Sequence, residues 1–560
     1  MDEDKKRFPI FKVALGAIVA VLCGMVMGPP PIHKLATPLP RLWQGEEGSK
    51  DYGPGVKYVI RMTPGFAYVP DTTPTGYGRP LQGFTEVARR FNEKYPDTVI
   101  EFVNVPIGPE YLVTQLTGGN APEIIQTNVE DIWSDLQKGW YVPLDGFLAE
   151  PNEFAPPGEP GSAQWWDSFK YQAITRGKAA PDGRMYCLPL DMVETGIYYN
   201  KDLFEKLGIT VPETWAEYVA WQRRVKEDGK YAPTLLSAWN YVYWGTDLVF
   251  DQLYFDILPG IDLKKIPEQE QYFEGYLDDQ ELCYLHSKGF FTKDDPRWRE
   301  MFRLLKEWRD LSTDNIGSTD FARMFLRQEG LSMWTACMFS TNLRLNPDVD
   351  FEWDVFYPPS MTKETSPYAS GAEMCVIGGV AMQYIVTNSS VRDVPPDPSL
   401  APFDDLQRRM RESQRLRRVI QWMQFITTPE NADLIINENP MFLPNVAGVD
   451  AHPSFEVFER ILEHRYTTTK WSASFDLRFR DLQERMINLY LTDDLSLDEL
   501  LDVLDKNLAF AAESGERRGV FRLSELDAEW ERLAPVRASY EGLPPGAGGL
   551  ATTATAGARP

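Results

Sequence analysis

The chain has 560 residues, 43% of them hydrophobic and 13% aromatic, enough to build a large core spread over more than one lobe. Its net charge of -25 argues against nucleic acid or anionic lipid as a partner, because neutralising phosphates takes clustered Lys and Arg. The histidines, His33, His286, His452 and His464, have no ligand spacing and no CxxC occurs, so a zinc site is not expected.

The N-terminus reads MDEDKKRF and then runs apolar over 8–28, broken by Lys12, the charged-then-apolar pattern of an export signal. Two readings stand. A retained membrane anchor is preferred, since the run approaches the roughly 20 residues that span a bilayer, Lys5, Lys6 and Arg7 precede it, and Pro29 follows Gly28 with no A-x-A site. A removed signal peptide is the competitor, and lipidation of Cys23 is opposed by the bulky Leu22 before it. Residues 29–55, with Pro29, Pro30, Pro31, Pro38 and Pro40, form a semi-rigid spacer. Beyond the leader, Cys187, Cys283, Cys337 and Cys375 allow one or two disulfides, with the pairing left open.

Periodicity predicts a strand over 56–62, a helix with Phe84, Val87, Ala88 and Phe91 on one face, and a second strand over 99–105, the unit of a parallel sheet. A helix at 111–116, a short buried strand in GGNAPEIIQTN and a helix over 131–138 ending at Gly139 follow. In GRMYCLPLDMVETGIYYNKDLFEKLGI, 185–190 and 197–199 read as strands around a polar hinge of Asp191, Glu194, Thr195 and Gly196, and Asp202 opens a helix. A helix over 214–228 carries Trp215, Tyr218, Val219 and Trp221, and 235–255 is crowded with Trp239, Tyr241, Tyr243, Trp244 and Tyr254. Residues 296–311 form an amphipathic helix burying Trp298, Met301, Leu304, Leu305 and Trp308. Further on, 330–339 and 354–357 read as strands, and 406–426 and 495–513 as helices.

Taken together these segments resemble the extracellular solute-binding components of ABC importers, the maltose-binding-like family. Tyr186, Pro189, Tyr198, Tyr199, Asn200, Lys201, Asp202, Leu203, Phe204 and Gly208 fit the family's run where the chain first passes between lobes, and Pro212, Thr214 and Trp215 its next helix start. Gly139, Val142, Pro143, Leu144, Asp145 and Phe147 fit a "G.L.PLD.F" passage, and Thr427, Thr428, Pro429 and Glu430 a "TSPE" passage. The likeness runs in order over 57–513.

The resemblance implies an α/β fold of two lobes, the type II periplasmic binding protein fold, each lobe a sheet flanked by helices with segments crossing between them. The expected division is 1–28 signal or anchor, 29–55 linker, 56–195 and 358–440 first lobe, 196–357 second lobe with an insertion near 258–293, 441–540 a C-terminal helical part mainly of the second lobe, and 541–560 a disordered tail. It further implies a non-enzymatic, monomeric carrier of a sugar or oligosaccharide, periplasmic or extracellular, anchored to the membrane by its N-terminus in the retained-anchor reading, that hands its ligand to an ABC permease and needs no cofactor of its own.

A sugar site needs flat apolar faces for C–H-rich sugar faces and planar amides or carboxylates for hydroxyls, since a buried unpaired hydroxyl is costly. Trp133 with Asn128 and Asp131, Trp239 with Asn240 and Trp244, and Trp334 meet that description, against the alternative that these rings are core. Thr63 at a strand end, Tyr198 in the crossing strand, and Glu373 after the Gly371–Ala372 turn complete the candidates. Asp191 and Glu194 read as structural or ligand-orienting, the competing reading being a glycosidase pair. A sensory or adhesive ectodomain that closes on a glycan is the other alternative.

Overall fold

The computed structural model describes residues 52–548 apart from 75, 77, 105–108, 173–178, 181, 265–276, 315–319, 373–378, 457, 459–476 and 546. The apolar run over 8–28, Glu373 and Cys375 lie outside the described residues. Among the described helices none is long and apolar enough to cross a membrane.

In chain order the strands are β1 (Tyr58–Met62), β2 (Thr98–Phe102), β3 (Ile124–Gln126), β4 (Cys187–Pro189), β5 (Asp191–Val193), β6 (Thr195–Asn200), β7 (Ala232–Leu235), β8 (Gly330–Ala336), β9 (Trp353–Phe356), β10 (Gly379–Val380), β11 (Gln383–Val386) and β12 (Leu443–Pro444). They form three sheets, ordered β2-β1-β3-β11-β4, β10-β5-β12 and β7-β8-β6-β9. In the first, β1 runs parallel to β2 and β3, so their carboxyl ends and the loops after them share one edge, where open α/β sheets take ligands. The small middle sheet is where the chain passes between lobes: β5 leaves the first sheet and is flanked by the antiparallel β10 and β12. One residue later β6 enters the middle of the third sheet, between β8 and β9.

The first lobe is covered by helices whose apolar spacing the sequence already displays. Gly83–Lys94 buries Phe84, Val87 and Phe91. Its open N-terminus is held by the Glu438 carboxylate, which accepts from the Gln82 and Gly83 amides at 2.8 and 2.6 Å. A Cβ on Gly83 would stand 2.5 Å from the Leu434 carbonyl, so only glycine lets these helices approach. Beneath them Glu123, fully buried, accepts from Arg415 at 2.6 Å and the Arg61 amide at 2.8 Å and pairs with Arg392 at 3.0 Å.

The expected single helix over 406–426 is two, Pro402–Glu412 and Gln414–Ile426. Ser413 leaves helical geometry and its Oγ accepts from the Leu416 amide, while the Asp393 carboxylate takes the Gln414 and Arg415 amides at 2.9 and 3.0 Å. That local cap outcompetes continuation.

In the second lobe Trp215–Asp228 starts in a full capping box between Thr214 and Glu217, and Pro296–Leu311 starts on Asp295, whose side chain accepts from the Arg297 and Trp298 amides. Alternation along β6 splits its side chains: Ile197 and Tyr199 face the second core, Tyr198 the first. The strand expected over 330–339 ends at Ala336, and Met338–Leu345 turns helical.

Several segments sit elsewhere than expected. The stretch 358–371, expected with the first lobe, packs on the second: Met361 and Ala369 belong to its core, and Gln252 ties the Met361 and Ser370 amides. The start of the expected disordered tail is structured, with Ala547 buried in the same core and Arg297 donating to the Glu541 carbonyl at 2.9 Å. Cys187, Cys283 and Cys337 are buried on different elements, and Cys283 and Cys337 are free thiols.

Candidate functional site

Trp239 is the exception among the described tryptophans: it is 52% exposed. It precedes a π-helical turn, Asn240–Gly245, whose widened pitch places Tyr243 4.9 Å and Trp244 4.8 Å from its ring. Behind these the rings continue inward, Trp244 to Trp334 at 5.7 Å and Trp334 onto Trp308 at 5.1 Å. Asn240 fastens the turn to β8 by donating to the Trp334 carbonyl at 3.0 Å, and its Oδ1 accepts from Ser237. The result is one exposed aromatic face backed by a rigid tier.

The first lobe reaches this tier from its carboxyl edge. After β3 the chain enters a 3-10 helix, Val129–Lys138, closed by Gly139 in the left-handed region at φ 66°. Asp131 on that helix accepts from Arg480 at 2.5 Å, and Arg480 stands on the second lobe's helix Leu477–Leu491. Arg480 also lies 3.7 Å from Glu484, whose carboxylate stands beside the Tyr243 phenol. Burial first, then Glu484, pushes the Tyr243 phenol well above its ordinary value.

Of the residues proposed from sequence, Asp131, Trp239, Asn240, Trp244 and Trp334 therefore belong to one contiguous arrangement. Their roles differ from expectation, however. Trp334, 2% exposed, is a support for Trp244 rather than an open face, and Trp133, 8% exposed, belongs to the first core. Asn128 is exposed at the start of the 3-10 helix with no capping bond. Thr63 is buried and spends its hydroxyl on the Gln126 amide at 2.6 Å.

Tyr198 is buried against Ser340, with its hydroxyl 2.9 Å from that side chain, and serves packing. Gly371, at φ 73°, lines a separate outer groove of about 880 Å³ with Trp215, Arg223 and Lys363, sharing no residue with the aromatic tier.

Asp191 and Glu194 are both closed to solvent. Asp191 accepts from the Tyr68 hydroxyl at 2.5 Å and from the Met382 amide at 2.8 Å, binding β5 to both flanks of the crossing, and burial raises it to about 6. Neither oxygen of Glu194 has a hydrogen-bond partner, and burial drives it well above the usual carboxylate range. Two carboxyls shut away from water do not flank a glycosidic bond, so the pairing seen in sequence is a feature of the hinge.

Sequence reasoning passed over Phe66, 58% exposed in the loop after β1 and set edge-on against Phe442 at 6.0 Å. An aromatic in a Pro- and Gly-rich loop following the opening strand is the signal that could have found it. Arg480 and Glu484 were missed because helical spacing alone reads them as a solvated i, i+4 pair. Among the described residues, no three His, Cys, Asp or Glu side chains converge as metal ligands.

The family model for "Bacterial extracellular solute-binding protein" matches residues 76–302. Over 145 residues the chain is 24% identical to a multiple sugar-binding protein of Streptococcus mutans, covering 25% of this chain and 30% of that protein. Over 163 residues it is 26% identical to the sn-glycerol-3-phosphate-binding periplasmic protein UgpB of Brucella abortus, covering 25% and 37%. The chain thus spans about a third of the length of the curated relatives it matches.

Solved structures agree over more of the chain. Maltose-bound MalE3 of T. maritima superposes with a TM-score of 0.53 at 15% identity, covering 81% of this chain and 100% of that one. RafE with raffinose, from Streptococcus pneumoniae, gives 0.51 at 15%, covering 81% and 99%. Matched in sequence through the crossing segment and in fold over about four-fifths of its length, the chain is similar to the bacterial extracellular solute-binding proteins and has their two-lobed α/β fold.

Proposed function

We propose that the protein is an extracytoplasmic carrier that binds a sugar or oligosaccharide between its lobes, as a monomer and without turning it over, and delivers it to an ABC permease. The observation that supports this most is the exposed Trp239 face, buttressed by Tyr243 and Trp244 where helix Leu477–Leu491 meets the first lobe. Exposing so much indole is unfavourable unless a ligand covers it, and a flat, rigid ring suits the C–H face of a pyranose. Phe66 offers a second face from the first lobe, and Asn128 and Asp131 offer hydroxyl partners. The relative named for sugar binding and the neighbours solved with maltose and raffinose point the same way.

Binding would proceed by closure. A ligand touching both lobes stabilises the closed form by its differential affinity, and the permease recognises that form. A panel of neutral mono- and oligosaccharides, with sn-glycerol 3-phosphate as the contrasting anionic ligand, is to be screened by thermal shift. A native-only binder raises the melting temperature in proportion to ln(1 + [L]/Kd). For the sugar that binds, Trp239→Ala is expected to weaken affinity about tenfold or more, about 1.4 kcal/mol, with the fold intact. Steady release of reducing ends, or a response to glycerol phosphate alone, overturns the proposal.

A further inference from the structure

We infer that Arg480 is a positioning residue that ties closure of the lobes to the setting of the Trp239 ring. This rests on the reading of Trp239 as a ligand face. Arg480 and Asp131 stand on different lobes, each side chain a little over a quarter exposed, and their 2.5 Å contact forms when the lobes are together. From the same guanidinium the chain continues to Glu484 at 3.7 Å, from Glu484 to the Tyr243 phenol beside it, where the helix packs on the Asn240–Gly245 turn, and from the Tyr243 ring to Trp239 at 4.9 Å with an interplanar angle of 32°. Together these neighbours run from the first lobe to the exposed face.

Asp131 and Glu484 share one cation. While Asp131 is present, the guanidinium is drawn towards the first lobe and leaves Glu484 3.7 Å away, beside the Tyr243 phenol on the face where its helix packs against the Asn240–Gly245 turn. When the lobes part, Asp131 leaves and Arg480 has Glu484, one helical turn on, as its remaining carboxylate. Glu484 then turns to the cation and away from the Tyr243 phenol, and the stack beneath Trp239 loosens. The rigid face is thus assembled in the closed form and relaxed in the open one. Because the pair is partly exposed, its contribution is small and screened by salt, which keeps closure reversible.

The test uses the full chain and no ligand, so it does not depend on which sugar binds. Interlobe distance is followed by fluorescence transfer between dyes on the two lobes, and Trp239 by its emission, taken as the difference between each protein and its Trp239→Phe counterpart. Arg480→Gln and Asp131→Asn are expected to lower the closed-to-open ratio about two- to fivefold, as for a partly exposed ion pair. Both are expected to shift the Trp239 emission, and the Asp131→Arg/Arg480→Asp exchange to restore most of the closed population. High salt is expected to narrow the difference between wild type and variants.

A merely structural role would lower the melting temperature without moving the Trp239 signal. Unchanged distance in both single variants overturns the inference, as does opening that leaves Trp239 emission untouched. Should no sugar bind the wild type while these shifts occur, the ligand assignment falls and the coupling stands.

Discussion

At the scale of single residues, the crossing segment stores an electrostatic cost. Glu194 has no hydrogen-bond partner for either oxygen and no access to water, so its neutral form is the stable one in the folded protein. Its folded value lies above 4.5, so the folded chain holds its proton more tightly than the unfolded chain does. The stability this confers is present below that pH and lost as pH rises through the folded value. Asp191 acts in the same direction between 3.8 and about 6, with an effect on the order of 3 kcal/mol. We expect the denaturant midpoint of the wild type to fall from acid towards neutral pH and that of Glu194→Gln to fall less steeply. Parallel midpoint curves for the two proteins would rule out a buried, proton-holding Glu194. Tyr68 and the Met382 amide give Asp191 what Glu194 lacks, which is why its rise is the smaller.

Among elements, the first sheet depends on a charge that no spacing or motif singles out. Glu123 precedes β3, fully buried, and joins β1 through the Arg61 amide to the Gln414–Ile426 helix through Arg415. Replacing it with Ala would strand Arg415, itself nearly buried, and is expected to cost about 3–5 kcal/mol in urea unfolding, with Glu123→Gln costing less. A loss under about 1 kcal/mol for the alanine variant would show that water replaces the carboxylate freely. The case marks what periodicity conveys. Phe84, Val87 and Phe91, or Trp298, Met301, Leu305 and Trp308, are visible as stripes because spacing alone sets which face is buried. The break at Ser413 was hidden because it depends on Asp393, 20 residues earlier, and the 358–371 segment because Gln252, more than 100 residues away, holds it. In the site, Trp239 and Trp334 look alike in sequence, each an aromatic beside a polar residue, and only tertiary packing makes one a face and the other its support.

On the scale of the whole molecule, the second lobe is closed by chain that lies beyond the family-like stretch. Leu526, Trp530 and Leu533 are buried against the second core, and Tyr284 donates to Asp527 at 2.8 Å. Arg537 lies 3.3 Å over the Trp530 ring and donates to the Gly260 carbonyl at 3.1 Å, while the nearly buried Arg297 uses the Glu541 and Gly542 carbonyls as acceptors. Ending the chain after Arg522 would expose three apolar side chains worth about 1.5–3 kcal/mol each and leave Arg297 short of partners. The damage would not stay local. Tyr284 belongs to helix Asp279–Ser287, which packs on Leu497–Arg518, and that helix in turn packs on Leu477–Leu491, where Arg480 stands. A chain ending at 522 is therefore expected to melt well below the full protein and to bind the proposed ligand more weakly, whereas one ending at 548 should match the full protein in both. Paired melting curves and titrations decide it: equal melting of the 522 and 548 chains would mean that the C-terminal layer only decorates the lobe.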